Sequence, residues 1–138
     1  MKTGILYIVF FVFAVNAWQS YAQYTTEEER QFDSLNNILE NNNSHDTSLA
    51  SAYVALSDML YISDFDTVYP LCVKAKNIAE SRLAETENMK EIRVLKRTLA
   101  DALNNIGYVT ELNGEPQQAL DFYLQSSTIY NEINDKTG

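Results

Sequence analysis

The sequence predicts an all-α protein built of antiparallel helical hairpins. Apolar residues recur at three- and four-residue spacing along almost the whole chain. No stretch alternates apolar and polar residues for long enough to make a strand. Only 4 Gly and 2 Pro occur, whereas a sandwich or barrel needs turn residues about every 8–12 positions. With 46% hydrophobic and 12% aromatic residues, the composition suits a packed domain rather than a disordered tail.

Residues 1–22 have the form of an export signal. Lys2 supplies a small positive start, residues 5–15 are apolar and uncharged, and Ser20-Tyr21-Ala22 ends the segment with small residues at the two positions that matter. Cleavage is expected before Gln23. The apolar run is short for a membrane span, which needs about 20 residues. No Cys follows the cleavage site, so no lipoprotein anchor is expected. The formal net charge is −9, and losing Lys2 with the signal makes the mature part more acidic still. Such a surface repels phosphate backbones and anionic lipid, which argues against nucleic acid as a partner and leaves the membrane only to the signal or a downstream span. The single Cys72 cannot close an internal disulfide, so stability must come from packing.

The mature chain then reads helix by helix. Thr26 and Glu29 have capping-box spacing. Phe32, Leu35, Ile38 and Leu39 follow on one face, and an Asn-rich turn up to residue 45 ends this N-terminal helix. A second helix is expected from about residue 48 to 62, with Leu49, Ala52, Tyr53, Leu56, Met59 and Leu60 as its stripe. Asp66 is the candidate cap of a third helix carrying Val68, Leu71, Cys72, Ala75, Ile78, Ala79 and Leu83. Pro70 then falls in its first turn, where a missing N–H matters least. Residues 84–89 are polar and read as a loop or a frayed helix end. A long fourth helix follows through Ile92, Leu95, Leu99, Leu103, Ile106 and Val109 to Leu112, and stops at Asn113-Gly114. Pro116 opens a fifth, with Ala119, Leu120, Tyr123, Ser126, Ser127, Ile129 and Tyr130 on one side.

Residues 100–131 contain an internal pattern. Leu103, Ile106 and Gly107 stand in the first helix, Gly114 in the turn, and Ala119, Tyr123 and Ser126 in the second helix. This arrangement resembles the tetratricopeptide repeat (TPR), a helix–turn–helix unit of about 34 residues. There, small residues sit where two helices cross closely and an aromatic ring fills the space beside them. Thr110 replaces the family's usual aromatic and Asn131 its usual proline. A weaker unit covers residues 49–80, with Leu56 in the glycine slot, Ser63 in the turn slot, Val68 and Ala75 in the small slots and Cys72 in the aromatic slot. The offset between Leu56 and Gly107 exceeds a repeat length, so the helices flanking residues 82–98 are expected to be extended. The chain thus divides into a signal (1–22), an N-terminal helix and turn (23–45), a degenerate hairpin (46–99) and a TPR unit (100–138).

The string from Ala102 to Gly138, closing on Asp135-Lys136-Thr137-Gly138, resembles the longer-period TPR arrays of exported Bacteroidetes-type proteins. The stretch from Leu56 to Glu80 is similar to the segment that precedes them. The resemblance implies a TPR solenoid that binds protein or peptide outside the cytoplasm, periplasmic or at the outer face of the inner membrane. It also implies a signalling output, such as a histidine kinase or a nucleotide cyclase, beyond residue 138. Because such a solenoid needs about three repeats, the sequence is expected to be the N-terminal part of a longer protein, with self-association through the array also open. A stand-alone adaptor of an envelope complex, or an array followed by a catalytic domain, are the alternative readings.

No chemistry is expected from this part of the chain, and no cofactor or metal. His45 lies in a turn, and Cys72 lies on an apolar stripe where a thiol is inert packing. Asp64-Phe65-Asp66 lacks the glycine and terminal glutamate of a calcium loop. Neither HxxxH nor CxxC spacing occurs. Asn42-Asn43-Ser44 fits a glycosylation sequon that a bacterial protein would not use. By TPR register the first helix of each unit lines a groove, which implies Tyr53, Ser57, Tyr61, Asp101, Asn104, Asn105 and Tyr108 as candidate peptide contacts. Tyrosines and amides suit stacking and hydrogen bonding to a peptide. The competing expectation is that Tyr53 and Tyr61 pack against the first helix. Lys and Arg are not clustered on this face, so clamping of a carboxylate is not expected.

Overall fold

The computed structural model describes residues 26–41, 45–61 and 64–133. The export signal, the sequon, the turn residue Ser63 and the terminal Asp135–Gly138 turn lie outside them. By backbone proximity the chain forms two compact units, residues 1–34 and 35–138, and the second carries the packed core. All regular structure among the described residues is helical: α1 (26–40), α2 (Asp46–Leu60), α3 (Phe65–Leu83), α4 (Met89–Leu112) and α5 (Pro116–Glu132).

Each boundary has a local cause. His45 caps α2: its Nδ1 accepts from the Thr47 amide at 3.4 Å and lies 2.8 Å from the Thr47 hydroxyl. The helix therefore begins about one half-turn earlier than expected, and His45 is structural rather than a plain loop residue. Helix α3 also begins early, with Asp64 rather than Asp66 at its N-cap. The Thr67 hydroxyl donates to the Asp64 carboxylate at 2.6 Å, and Phe65 packs on the core, which draws the first turn inward. Pro70 consequently lies inside α3 rather than in its first turn. Its missing N–H leaves the carbonyl of Asp66, an exposed residue, to water.

Residues 84–88 form a tied turn, not a frayed end. Arg82 donates to Glu91 at 2.6 Å and the Thr86 hydroxyl donates to the same carboxylate at 2.6 Å. Asn88 Oδ1 then accepts from the Lys90 and Glu91 amides to open α4. Those donors, Arg82 first, hold the Glu91 carboxyl below the usual carboxylate range. Helix α4 closes on a paired backbone lock. The Gly114 amide donates to the Glu111 carbonyl and the Glu115 amide to the Thr110 carbonyl, at 3.0 and 3.1 Å. Gly114 adopts φ 85°, which a side chain would oppose. Pro116 starts α5 directly after it.

Packing is sequential with one cross-link. Helices α2–α3, α3–α4 and α4–α5 pack on one another, and α4 also touches α2. At 24 residues α4 is the longest element, and α3 has 19; the extra turns fall around the 84–88 junction, as the long repeat offset anticipates. One core cluster gathers Val54, Val68, Cys72, Ala75, Ala102, Ile106 and Val109. A second gathers Ala79, Leu95, Leu99 and Leu103. Phe122 of α5 packs against both.

Small residues set the spacing between helices. Gly107 faces α5 so closely that an added Cβ would lie 2.8 Å from Tyr123 Cε1 and 3.3 Å from the Ala119 carbonyl oxygen. Ala119 is buried, and buried Ser126 donates its hydroxyl to the Ala100 carbonyl at 2.7 Å. In the weaker unit Leu56, Val68, Cys72 and Ala75 are all buried as well. The five positions singled out as repeat-defining thus divide: Gly107, Ala119, Tyr123 and Ser126 form the α4–α5 crossing, and Gly114 forms the turn.

Candidate functional site

Where α2 meets α4, two shallow hollows run side by side. One, of about 390 Å³, is lined by Ser51, Val54, Ala55 and Asp58 of α2 and by Arg93, Val94, Arg97, Thr98 and Asp101 of α4. The other, of about 380 Å³, adds Leu35, Ile38, Thr47, Ser48 and Ala52 and shares Ser51, Ala55 and Val94. Together they form one trough. Its floor is fixed by the Ser51 and Thr98 hydroxyls, 3.1 Å apart, which join α2 to α4. Val94 on its rim is 46% exposed, a large apolar side chain left open to solvent.

Four charged side chains line the first hollow: Asp58 of α2, and Arg93, Arg97 and Asp101 at one-turn spacing on α4. Asp58 accepts from Asn105 Nδ2 at 2.7 Å, and Asp101 accepts from the Tyr130 hydroxyl of α5. Burial is the main reason the Asp58 carboxyl titrates above its ordinary value; the Asn105 hydrogen bond opposes the shift and neighbouring Asp101 adds to it. The Tyr130 hydroxyl is likewise pushed up by burial and by the Asp101 carboxylate it serves.

The seven sequence-derived contacts are dispersed by the structure. Asp101 alone lines the trough. Ser57 is fully buried, donating to the Val54 carbonyl at 2.7 Å and accepting from Cys72 Sγ at 3.2 Å. Asn105 is buried beneath it, donating to both Ser57 and Asp58. Both are floor supports and cannot touch a ligand lying in the open trough, because α4 packs on α2 as well as α3 and thereby covers them. Tyr53 packs on the core with the Lys74 ammonium 5.4 Å from its ring centroid. Tyr61 stacks on Tyr108 at 4.6 Å, with Phe65 edge-on to Tyr108 at 6.3 Å. Of the seven, Asn104 alone is fully on the surface. Arg93 and Arg97 also line the trough, outside the residues that the repeat register assigns to a groove. They lie within the junction stretch 82–98, where the repeat register is interrupted; following the Asp101 face of α4 back by whole turns would have reached them.

Cys72 is buried, and burial first of all pushes its thiol above the ordinary value. No group of three metal-ligating side chains comes together among the described residues. His45 is engaged as a cap, 3.9 Å from Glu91. No known family model matches the chain, and no curated protein or solved structure is significantly similar to it.

Asp58 gives a stability prediction with a defined sign. Its folded-state pKa lies above the unfolded value, so the ionised form is disfavoured in the fold. That cost is present above the folded pKa and fades as pH falls through it toward the unfolded value near 4. Asp58→Asn is therefore expected to raise the melting temperature at pH 7 by roughly 2 °C, a small effect because the group is partly solvated. The gap should close below about pH 4. Thermal melts across that range check both the sign and the closure.

Proposed function

We propose that this protein is a helical-repeat scaffold of TPR type that binds a protein or peptide segment in the α2–α4 trough. The observation that supports this most is the trough itself: an exposed Val94 on its rim, a floor braced by the Ser51 and Thr98 hydroxyls, and charged side chains along its walls. The close α4–α5 crossing at Gly107, Ala119 and Ser126 supports the repeat reading, since these are the positions where the TPR pattern demands small side chains. The export signal read from residues 1–22 supports a location in the periplasm or at the outer face of the inner membrane. There it serves as the sensing part of a larger signal-transduction protein. An adaptor role within an envelope complex would use the same trough without an output.

Panning random 12-residue peptides displayed on phage against the full chain tests the binding role. Ala55→Trp, which fills the trough from a half-buried position, serves as the counter-target. Clones that bind the parent protein and lose at least about tenfold affinity for Ala55→Trp are expected, given that hot spots concentrate binding energy. If every enriched clone binds both proteins equally, the trough is not a binding site.

A further inference from the structure

We infer that the aromatic end of the domain, where Tyr61, Phe65, Tyr108 and Tyr123 meet, is a second docking surface that takes an arginine-bearing protein segment. This goes beyond the trough reading and is tested apart from it.

Three contacts build the patch. Tyr61, at the end of α2, stacks on Tyr108 of α4 with ring centroids 4.6 Å apart and planes at 22°. Phe65, in the first turn of α3, meets Tyr108 edge-on. Tyr123 of α5 donates its hydroxyl to Glu111, one turn beyond Tyr108. All four rings are half-buried, so each keeps part of its surface in solvent. Leu112, four residues on from Tyr108, and Leu120, three before Tyr123, are exposed beside them. The patch draws on four helices and shares no lining residue with the trough.

Its charge selects the partner. Every Lys and Arg of α2–α5 falls between Lys74 and Arg97. There Lys76, Arg82 and Lys96 each meet a carboxylate. At the aromatic end the exposed acids Asp64, Glu111 and Glu115 meet no base among the described residues. The groups acting on the Tyr61 hydroxyl are Tyr108, Tyr123 and Asp58, and those acting on Tyr123 are Glu111 and Tyr108. Burial first, and then these phenols and carboxylates, hold both hydroxyls above their ordinary value.

Ring faces attract a cation. A guanidinium suits this surface better than an ammonium, because its plane stacks on tyrosine while its N–H groups reach carboxylate and phenol oxygens. The same acids repel phosphate and anionic lipid. Leu112 and Leu120 offer contact to apolar side chains next to the arginine.

The same displayed library, panned on the full chain, tests this with Tyr108→Leu and Glu111→Gln/Glu115→Gln as further counter-targets. The amide pair removes charge but leaves Tyr123 an acceptor. Circular dichroism melts establish that each variant folds; the amide pair is exposed and carries the test if the leucine variant does not fold. A class of clones that binds Ala55→Trp as well as the parent is expected. It should be rich in arginine and bind Tyr108→Leu at least about tenfold more weakly. The amide pair, or exchange of the clones' arginines for lysine, should weaken binding about fivefold. Arginine clones that bind both variants as well as the parent, or equally well in their lysine form, would overturn the inference. Clones without arginine that are sensitive to Tyr108→Leu would overturn it too, making this end a seat for an apolar helix. So would the absence of any class indifferent to Ala55→Trp. None of these results touches the trough, which is judged on clones sensitive to Ala55→Trp.

Discussion

Replacing Gly107 with valine is expected to lower the melting temperature by about 10 °C. A Cβ at this position would fall 2.8 and 3.0 Å from two carbons of the Tyr123 ring and 3.3 Å from the Ala119 carbonyl oxygen. The ring cannot simply swing aside, because its hydroxyl donates to Glu111 at 2.8 Å. That carboxylate, with burial as the larger cause, pushes the Tyr123 hydroxyl up to about 12. The carbonyl belongs to the backbone of α5 and moves only if the helix does. Relief therefore requires α4 and α5 to separate, and overpacking of this kind costs about 1–3 kcal/mol per inserted group. Valine adds further methyls beyond the Cβ, while its advantage over glycine as a helix former is only about 0.5 kcal/mol. The net loss is about 2–3 kcal/mol. Alanine, with about 1 kcal/mol of helix propensity in its favour, should lose much less. Adding Tyr123→Ala to the valine variant opens the crowded space, so the double variant should lose less than the sum of the two singles by about 1–2 kcal/mol. A valine variant that melts with the parent protein would mean that α4 and α5 do not cross this closely.

The second large effect is expected from Asn105→Ala, a loss of about 2 kcal/mol at pH 7. Its amide donates to Ser57 and to Asp58 at 3.2 and 2.7 Å, so truncation strips a donor from a carboxylate and leaves a small void beside Ser57. Ser57 survives better than Asp58, because it keeps its own bond to the Val54 carbonyl and still accepts from Cys72. The penalty thus follows the charge on Asp58: it should be largest at neutral pH and shrink below about pH 4, where that carboxyl is protonated in both states. Urea titrations at the two pH values measure it. In an Asp58→Asn background the loss should shrink at neutral pH too, and equal losses in both backgrounds would place Asn105's role elsewhere.

Legibility in the sequence followed the strength of the local signal. The order of helices, the stop at Gly114, the start at Pro116 and the close approach at Gly107 all follow from residue types with few alternatives. The helix starts at His45 and Asp64 were misplaced by two residues. Histidine rarely caps a helix, and the early turn of α3 depends on where Phe65 finds its hydrophobic contacts. The trough was harder. A register transferred from one repeat assumes that each first helix shows a polar face to solvent. Helix α4 packs against three neighbours, so polar residues at Thr98, Asn105 and Thr110 are buried with their hydrogen bonds satisfied locally. The buried stripe is wider than periodicity of apolar residues alone can reveal. Arg93 and Arg97, in turn, sit in the stretch where the repeat pattern has no register to transfer.

The pattern of helix contacts has a consequence for how the domain opens. Among the described residues α5 rests on α4 alone, whereas α2, α3 and α4 all touch one another. Detaching α5 removes one interface and leaves a closed three-helix set behind. It exposes Ser126, Ala119 and part of Phe122, and takes away the Tyr130 hydroxyl from which Asp101 of the trough wall accepts. The last helix is therefore the part of the domain with the lowest cost of local release, and amide protons along it would escape protection before those of the other three. Loosening at that end reaches the trough through Tyr130 and Asp101.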